Sequence, residues 1–143
     1  FEDSDAEIRR RTGVDIPLIF ELEGETGFRK RERKVIEQLT AREDLVLATG
    51  GGVVLDPENR RDLTGRGLVI YLHCSPEQQY QRTARDRNRP LLQNGDPRAR
   101  LRELMEQRDS LYRQTADLIV STERRNAAAV VREIARKLGL AKR

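Results

Sequence analysis

Three short, almost wholly apolar runs, Leu45 to Thr49, Leu68 to Leu72 and Leu118 to Ser121, are separated by long segments whose apolar residues recur with helical period. This alternation constrains the fold more than any other feature. A brief continuous apolar run reads as a strand covered on both faces, and strands separated by helices are joined as parallel crossovers. The predicted class is therefore α/β, with a further strand remnant ending at Phe1.

The helices announce their own ends. Ser4 and Glu7 have capping-box spacing, so a helix is expected from Ser4 to Thr12 with Gly13 as its stop and Asp5 in its first turn. Pro17 opens a short helical stretch. Phe28, Val35, Ile36 and Leu39 then fall on one face of a longer helix. Asp56-Pro57 and Ser75-Pro76 are cap-plus-first-turn pairs, and Asn126 caps a last helix whose apolar stripe is Val130, Val131, Ile134 and Leu138 before Gly139. The stretch from Arg85 to Arg98, RDRNRPLLQNGDPR, is too polar and too broken for a core element and reads as a mobile surface loop.

With 143 residues, the chain is the size of one domain, and residues 1–143 are read as a single unit. Charged residues make up 36% against 4% aromatic, which predicts a densely ionic surface and no stacking platform for nucleic acid. The net charge of +4 suits small anionic ligands. Cys74 is the only cysteine, so no internal disulfide or cysteine-based metal site can form, and a reducing, cytoplasmic setting is expected. No apolar run has the length of a membrane span, and no secretory leader is recognisable.

Four groups of residues could carry chemistry. Asp3 and Asp5 stand where a strand ends and a helix begins, the place where ligands gather in open α/β sheets, although a helix-dipole role for Asp5 with a solvated Asp3 is the commoner reading of so short a motif. Gly50-Gly51-Gly52 follows a buried strand directly and serves either as an anion-binding backbone nest or as a bare tight turn. Arg108 lies on the apolar face formed by Leu101, Leu104, Met105, Leu111 and Tyr112. A guanidinium there requires a negative partner, either an internal carboxylate or a ligand in a cleft. Arg29 could supply the other half of a carboxylate clamp or could simply be solvated. Finally, Arg82, Arg85, Arg87 and Arg89 lead into the irregular loop, as a solvated face or as a lid that brings positive charge over phosphate. His73, the lone histidine, reads as a packed or capping residue.

In order along the chain, FEDSD, RTG, IF-x-x-EGE-x-GFR-x-RE, LATGGGVV, RPLL and R-x-x-LY-x-x-x-AD resemble the successive signatures of the shikimate kinase family from Phe1 to about Leu138. The resemblance implies a nucleoside-monophosphate-kinase-like, P-loop-kinase fold with a parallel sheet of order 2-3-1-4-5, acceptor-binding helices at about 4–40 and a lid at about 82–98. It implies ATP-dependent phosphorylation of the shikimate 3-hydroxyl. By the same resemblance Asp5 holds the shikimate hydroxyls and accepts a proton, and Arg29 and Arg108 bind its carboxylate. Gly51 faces the ring, with Gly50 and Gly52 completing the turn. Asp3 helps to position Mg²⁺, Arg89 reaches the ATP phosphates, and Arg82 and Arg125 lie near adenine. Ala127 departs from the pattern, standing where some members have proline.

A second departure is larger: no G-x-x-x-x-G-K-[ST] phosphate loop occurs in the sequence. The resemblance places that loop, with the first strand, upstream of Asp3 in the middle of the sheet. The strands beginning at Leu45 and Leu68 are then expected to flank a gap, and these residues alone are expected not to phosphorylate shikimate. Direct pairing of those two strands would instead indicate a domain swap; otherwise a monomer is expected. A related small-metabolite kinase, such as a gluconate kinase, and a non-catalytic anion-binding or nucleic-acid-binding module are the competing functions.

Overall fold

A computed structural model of the chain describes residues 1–83 and 96–139. The elements run β1 (Glu2–Asp3), α1 (Ser4–Thr12), α2 (Ile16–Thr40), β2 (Leu47–Ala48), a 3-10 turn (Gly51–Leu55), α3 (Pro57–Arg66), β3 (Ile70–His73), α4 (Pro76–Thr83), α5 (Pro97–Thr115), β4 (Leu118–Ser121) and α6 (Ala127–Lys137). The class is α/β, as the alternation requires. Arg85, Arg87, Arg89 and most of the expected lid lie outside the described residues.

All pairing is parallel, and it falls into two separate ladders. β1 pairs with β2 in the register Glu2 to Leu47 and Asp3 to Ala48, and β3 pairs with β4 from Ile70 opposite Leu118 to His73 opposite Ser121. Among the described residues β2 and β3 are not hydrogen-bonded to each other. The two strands expected to flank a gap therefore do not pair directly.

The strands are shorter and less covered than their apolar runs suggest. The run from Leu45 contributes only Leu47–Ala48 to a ladder, and Val46, Leu72 and Ile119 are exposed. The expected burial of both faces is not found, because a face is covered only where a helix packs on it, and among the described residues the main helix contacts of the ladders are α1 on β1 and α6 on β4. The first strand likewise falls at Glu2–Asp3 rather than ending at Phe1, which is 84% exposed.

α1 has the expected bounds but a different cap. Asp3 remains extended at the end of β1, and its carboxylate accepts from the backbone N–H groups of Asp5 at 2.9 Å and Ala6 at 3.2 Å. The cap thus falls on the last strand residue, one position before Ser4. Ser4 is fully buried instead, and Glu7 turns to the Arg10 and Arg11 guanidinium groups rather than closing a capping box. Those two arginines hold the Glu7 carboxyl at about 2, well below the ordinary carboxylate value.

α2 is two helical pieces in one. Gly24, at φ 69° and ψ 179°, breaks the helical path in a left-handed region that a side chain disfavours, so the short piece begun at Pro17 meets the long one at an angle. The long piece buries Phe28, Val35, Ile36 and Leu39, the four residues expected on its inner face. Phe28, Val35 and Leu39 join Ile8, Ile16 and Ile19 in one core cluster, whereas Ile36 packs with Val53 and Val54 under Leu111 and Tyr112. Burying each such side chain contributes about 1.5–3 kcal/mol, and together they lock α1, α2 and the 3-10 turn into one body.

Asp56, Ser75 and Asn126 cap α3, α4 and α6 as the sequence predicts: their side chains accept from Glu58 N, Gln78 N and Ala129 N at 2.8, 3.2 and 2.8 Å. The expected stripe of α6 is only partly covered, since Val130 is buried while Val131 is 61% exposed. With β4 as its contact, the helix has too narrow a neighbour to cover two adjacent valines.

Candidate active site

β1 and the first turn of α1 place Asp3 and Asp5 together, and β2 delivers the glycine turn beside them, since the two strands run parallel and in register. α2 adds Arg29 and Glu32 from below. α5 adds Arg108 and Tyr112 from the side. Contacts of the 3-10 turn with α2 and α5 close the arrangement.

Each glycine of the turn meets a different functional side chain. A Cβ on Gly50 would sit 3.3 Å from an Asp5 carboxylate oxygen, and one on Gly51 would sit 2.7 Å from the Tyr112 hydroxyl and 3.4 Å from an Arg108 Nη. A Cβ on Gly52 would fall inside the Arg29 guanidinium. The backbone thus approaches two cations and an anion more closely than any side chain would allow. Of the two readings open from sequence, close ligand approach and a bare turn, this geometry gives the first a physical basis.

Arg108 is buried, 8% exposed, and among the described residues its Nε has no hydrogen-bond partner. Among the described residues no carboxylate forms a salt bridge with it, although Glu32 lies close enough to feel its charge. Beside it the Tyr112 hydroxyl donates to the Gly51 carbonyl at 2.8 Å. A buried guanidinium without a salt bridge is costly in water-excluded surroundings, and an anion arriving beside it would relieve that cost.

Arg29 is held differently. Its Nη1 donates to Glu32 Oε1 at 3.0 Å, its Nε and Nη2 each donate to Glu25 Oε2 at 3.2 Å, and its guanidinium lies 5.2 Å from the Phe28 ring centroid. These contacts aim the guanidinium at Gly52. A solvated arginine is therefore not what the structure contains.

Glu32 escaped the sequence reading. It is 1% exposed, pairs with Arg29 through Oε1 and leaves Oε2 without a partner among the described residues. Burial pushes its carboxyl up, against the opposing pull of Arg29. The signal was present, because position 32 lies four residues after Phe28 and three before Val35 on the apolar face of α2, as anomalous for an acid as position 108 is for a base. Tyr112 was noticed only as part of the apolar face of α5.

The residues expected near the nucleotide sit apart, at the end of β4. Arg82 donates to Thr122 Oγ1 at 2.9 Å and to the Thr122 carbonyl at 2.7 Å. Arg125 donates to the carbonyls of Ser121 at 2.9 Å and Ala129 at 3.1 Å, and to Glu133 at 2.5 Å. Both guanidinium edges are engaged, which leaves their planar faces as the surface for a ligand. His73 and Cys74 take the packed roles expected of them, His73 edge-on to Tyr71 at 5.5 Å and Cys74 buried.

Asp3 uses one carboxylate oxygen for the α1 cap. Among the described residues there is no cluster of three or more His, Cys, Asp or Glu that could hold a metal. A single carboxylate of this kind fits Mg²⁺, which takes one or two protein oxygens and completes its shell with water and substrate phosphates. No described helix is long and apolar enough to cross a membrane.

The family model for shikimate kinase matches residues 1–139 of the chain. A shikimate kinase of Thiobacillus denitrificans is 58% identical over 142 residues, covering 99% of this chain and 78% of the relative, and one of Thioalkalivibrio sulfidiphilus is 59% identical over 136 residues, covering 95% and 72%. Among solved structures, shikimate kinase from Acinetobacter baumannii in complex with shikimate superposes with a TM-score of 0.92 at 48% identity, covering 100% of this chain and 80% of that one. The Aquifex aeolicus enzyme gives 0.81 at 33% identity, covering 97% and 80%.

Proposed function

The chain belongs to the shikimate kinase family of phosphotransferases, and we propose that its glycine turn, with Asp5, Arg29 and Arg108, forms the seat of shikimate. Family membership favours this function over a gluconate kinase or a non-catalytic binding module. The observation that carries the site assignment is Arg108, buried, with an unpartnered Nε and no salt bridge among the described residues, beside a turn stripped of side chains.

The carboxylate of shikimate is held by Arg108 and Arg29, the second pre-aimed by Glu25 and Glu32. The 3-hydroxyl lies toward Asp5, which orients it and takes its proton as its oxygen attacks the γ-phosphorus of ATP and the bond to the ADP oxygen breaks. Gly51 lets the backbone face the ring. Arg82 and Arg125 meet the adenine with their faces, and Arg89, outside the described residues, reaches the phosphates. Asp3 would hold Mg²⁺, which when bound offsets phosphate charge. The protein acts as a single-domain monomer in the cytoplasm, without nucleic-acid or membrane partners.

Calorimetric titration of shikimate into Arg108→Leu of the full-length protein tests the assignment. Loss of a charged hydrogen-bonding partner costs roughly 1.5–3 kcal/mol, or about ten- to a hundredfold in affinity. Retention of parental affinity would falsify it.

A further inference from the structure

We propose that Glu123 is a positioning residue on the nucleotide side of the site: together with Gln78 it staples the turn after β4 onto α4, and so holds Arg82 on the helix and Arg125 at the end of the turn at one spacing. The inference rests on the proposal that the faces of these two arginines meet adenine.

Ser75-x-x-Gln78 has the spacing of a self-contained capping box, in which the first side chain takes the N–H of the fourth residue and the fourth side chain reaches back to the N–H of the first. Only the first half forms within α4, where Ser75 Oγ accepts from Gln78 N at 3.2 Å. The second half is exchanged with the turn. Glu123, 48 residues further along the chain, accepts from Ser75 N through Oε2 at 2.7 Å and from the Ser75 hydroxyl through Oε1 at 3.0 Å. Gln78 Oε1, released from that task, accepts from Arg124 N at 2.9 Å. Arg124 stands at φ 52°, a left-handed conformation that a side chain disfavours, so the turn holds a strained residue at the point where the helix takes its N–H. Thr122 completes the attachment, receiving Arg82 on its Oγ1 at 2.9 Å and on its carbonyl at 2.7 Å. Three consecutive residues of the turn are thus bound to α4, and the next one is Arg125. A carboxylate that accepts from an N–H and an O–H at once is a charge-assisted, two-point contact, stronger than the glutamine half of the box it displaces. Capping the helix did not require it, since Gln78 has the spacing to close the box alone. What the exchange adds is a fixed placement of the turn on the helix.

In the full-length protein Glu123→Ala should raise KM for ATP about tenfold and leave KM for shikimate within about twofold. Glu123→Gln keeps an oxygen for the Ser75 N–H and gains an N–H for the Ser75 oxygen, so its KM for ATP should stay within about threefold of the parental value. Gln78→Ala cuts the other tie without touching a charge and should by itself raise KM for ATP about threefold, which tests the staple independently of how well Glu123→Ala folds. Parental KM for ATP in Gln78→Ala and in folded Glu123→Ala, where Arg125→Ala is impaired, overturns the positioning role alone. A lowered melting temperature with parental KM values overturns it too, because it marks a tie that serves stability only, as does a parallel rise of both KM values. Equal losses in Glu123→Gln and Glu123→Ala place the effect in the charge rather than the hydrogen bonds and also overturn it. Parental KM for ATP in both Arg82→Ala and Arg125→Ala overturns the adenine reading and this inference together.

Discussion

The arginines at the end of β4 and the arginine facing the glycine turn differ in what takes their protons. Arg82 and Arg125 give theirs to backbone carbonyls at 121, 122 and 129, to the Thr122 hydroxyl and to Glu133, and so act as struts between β4, α4 and α6. Arg108 is more deeply buried than either, yet its Nε–H has no partner among the described residues. Charge alone does not separate these residues. Their residual hydrogen-bonding capacity does: a guanidinium with its edges saturated can offer a ligand only its face, whereas one with an unused edge can grip an anion. Arg29 stands between the extremes, tied to Glu25 and Glu32 and thereby aimed.

The comparison breaks most visibly at Gly52. Gly52→Ala puts a methyl group where the Arg29 guanidinium lies. The far end of an arginine can swing away at small cost to folding, but the clamp is then misaimed. Shikimate affinity should fall by about a hundredfold, as misplacement of a binding group by about 1 Å does, with a melting temperature near the parental value. Gly65→Ala, where a Cβ would meet nothing within 4 Å in the last turn of α3, should bind shikimate normally and gain at most about 0.5–1 kcal/mol of stability. Equal binding by the two variants would mean that Arg29 is not part of the clamp.

Arg82→Ala sharpens the contrast from the other side. Its three hydrogen-bonding neighbours, Thr122 Oγ1, the Thr122 carbonyl and the more distant Cys74 sulfur, lose their donor. We expect about 1–2 kcal/mol of lost stability in denaturant titration and a raised KM for ATP, with shikimate affinity unchanged. A fall in shikimate affinity would show that the two regions are not independent.

The smallest effect lies outside both sites. Glu7, held near 2 by Arg10 and Arg11, binds its proton far less readily than in the unfolded chain, where its value is about 4.5. Its contribution to stability is therefore present above that ordinary value and is lost as pH falls toward about 2. Glu7→Gln should flatten the dependence of melting temperature on pH within this window and leave substrate binding intact. An unchanged acid slope would show the ion pair to be inert.

Much of this was legible in the chain. The caps at Asp56, Ser75 and Asn126, the span of α1, the inner face of α2 and the strand Leu118–Ser121 follow from local rules, because a cap or a helical stripe is decided within a few residues. Ser4 misled because a cap depends on where the preceding strand stops, and that is set by pairing with β2. Val46, Leu72 and Val131 misled because an apolar residue states a preference for cover without guaranteeing a neighbour. Glu32 and Tyr112 went unrecognised for a related reason: position on a face is local, whereas the partner across the gap is not.

Sequence by itself determined the α/β class, the family, and the presence of a base where helical periodicity called for an apolar side chain. Periodicity and ordered motifs are properties of the chain read in one dimension. Only the tertiary structure decided that Arg108 forms no salt bridge among the described residues, that Arg29 forms two, and that the three glycines lie against Asp5, Tyr112, Arg108 and Arg29. Those facts depend on distances between elements far apart in the chain, which are fixed only when the core packs.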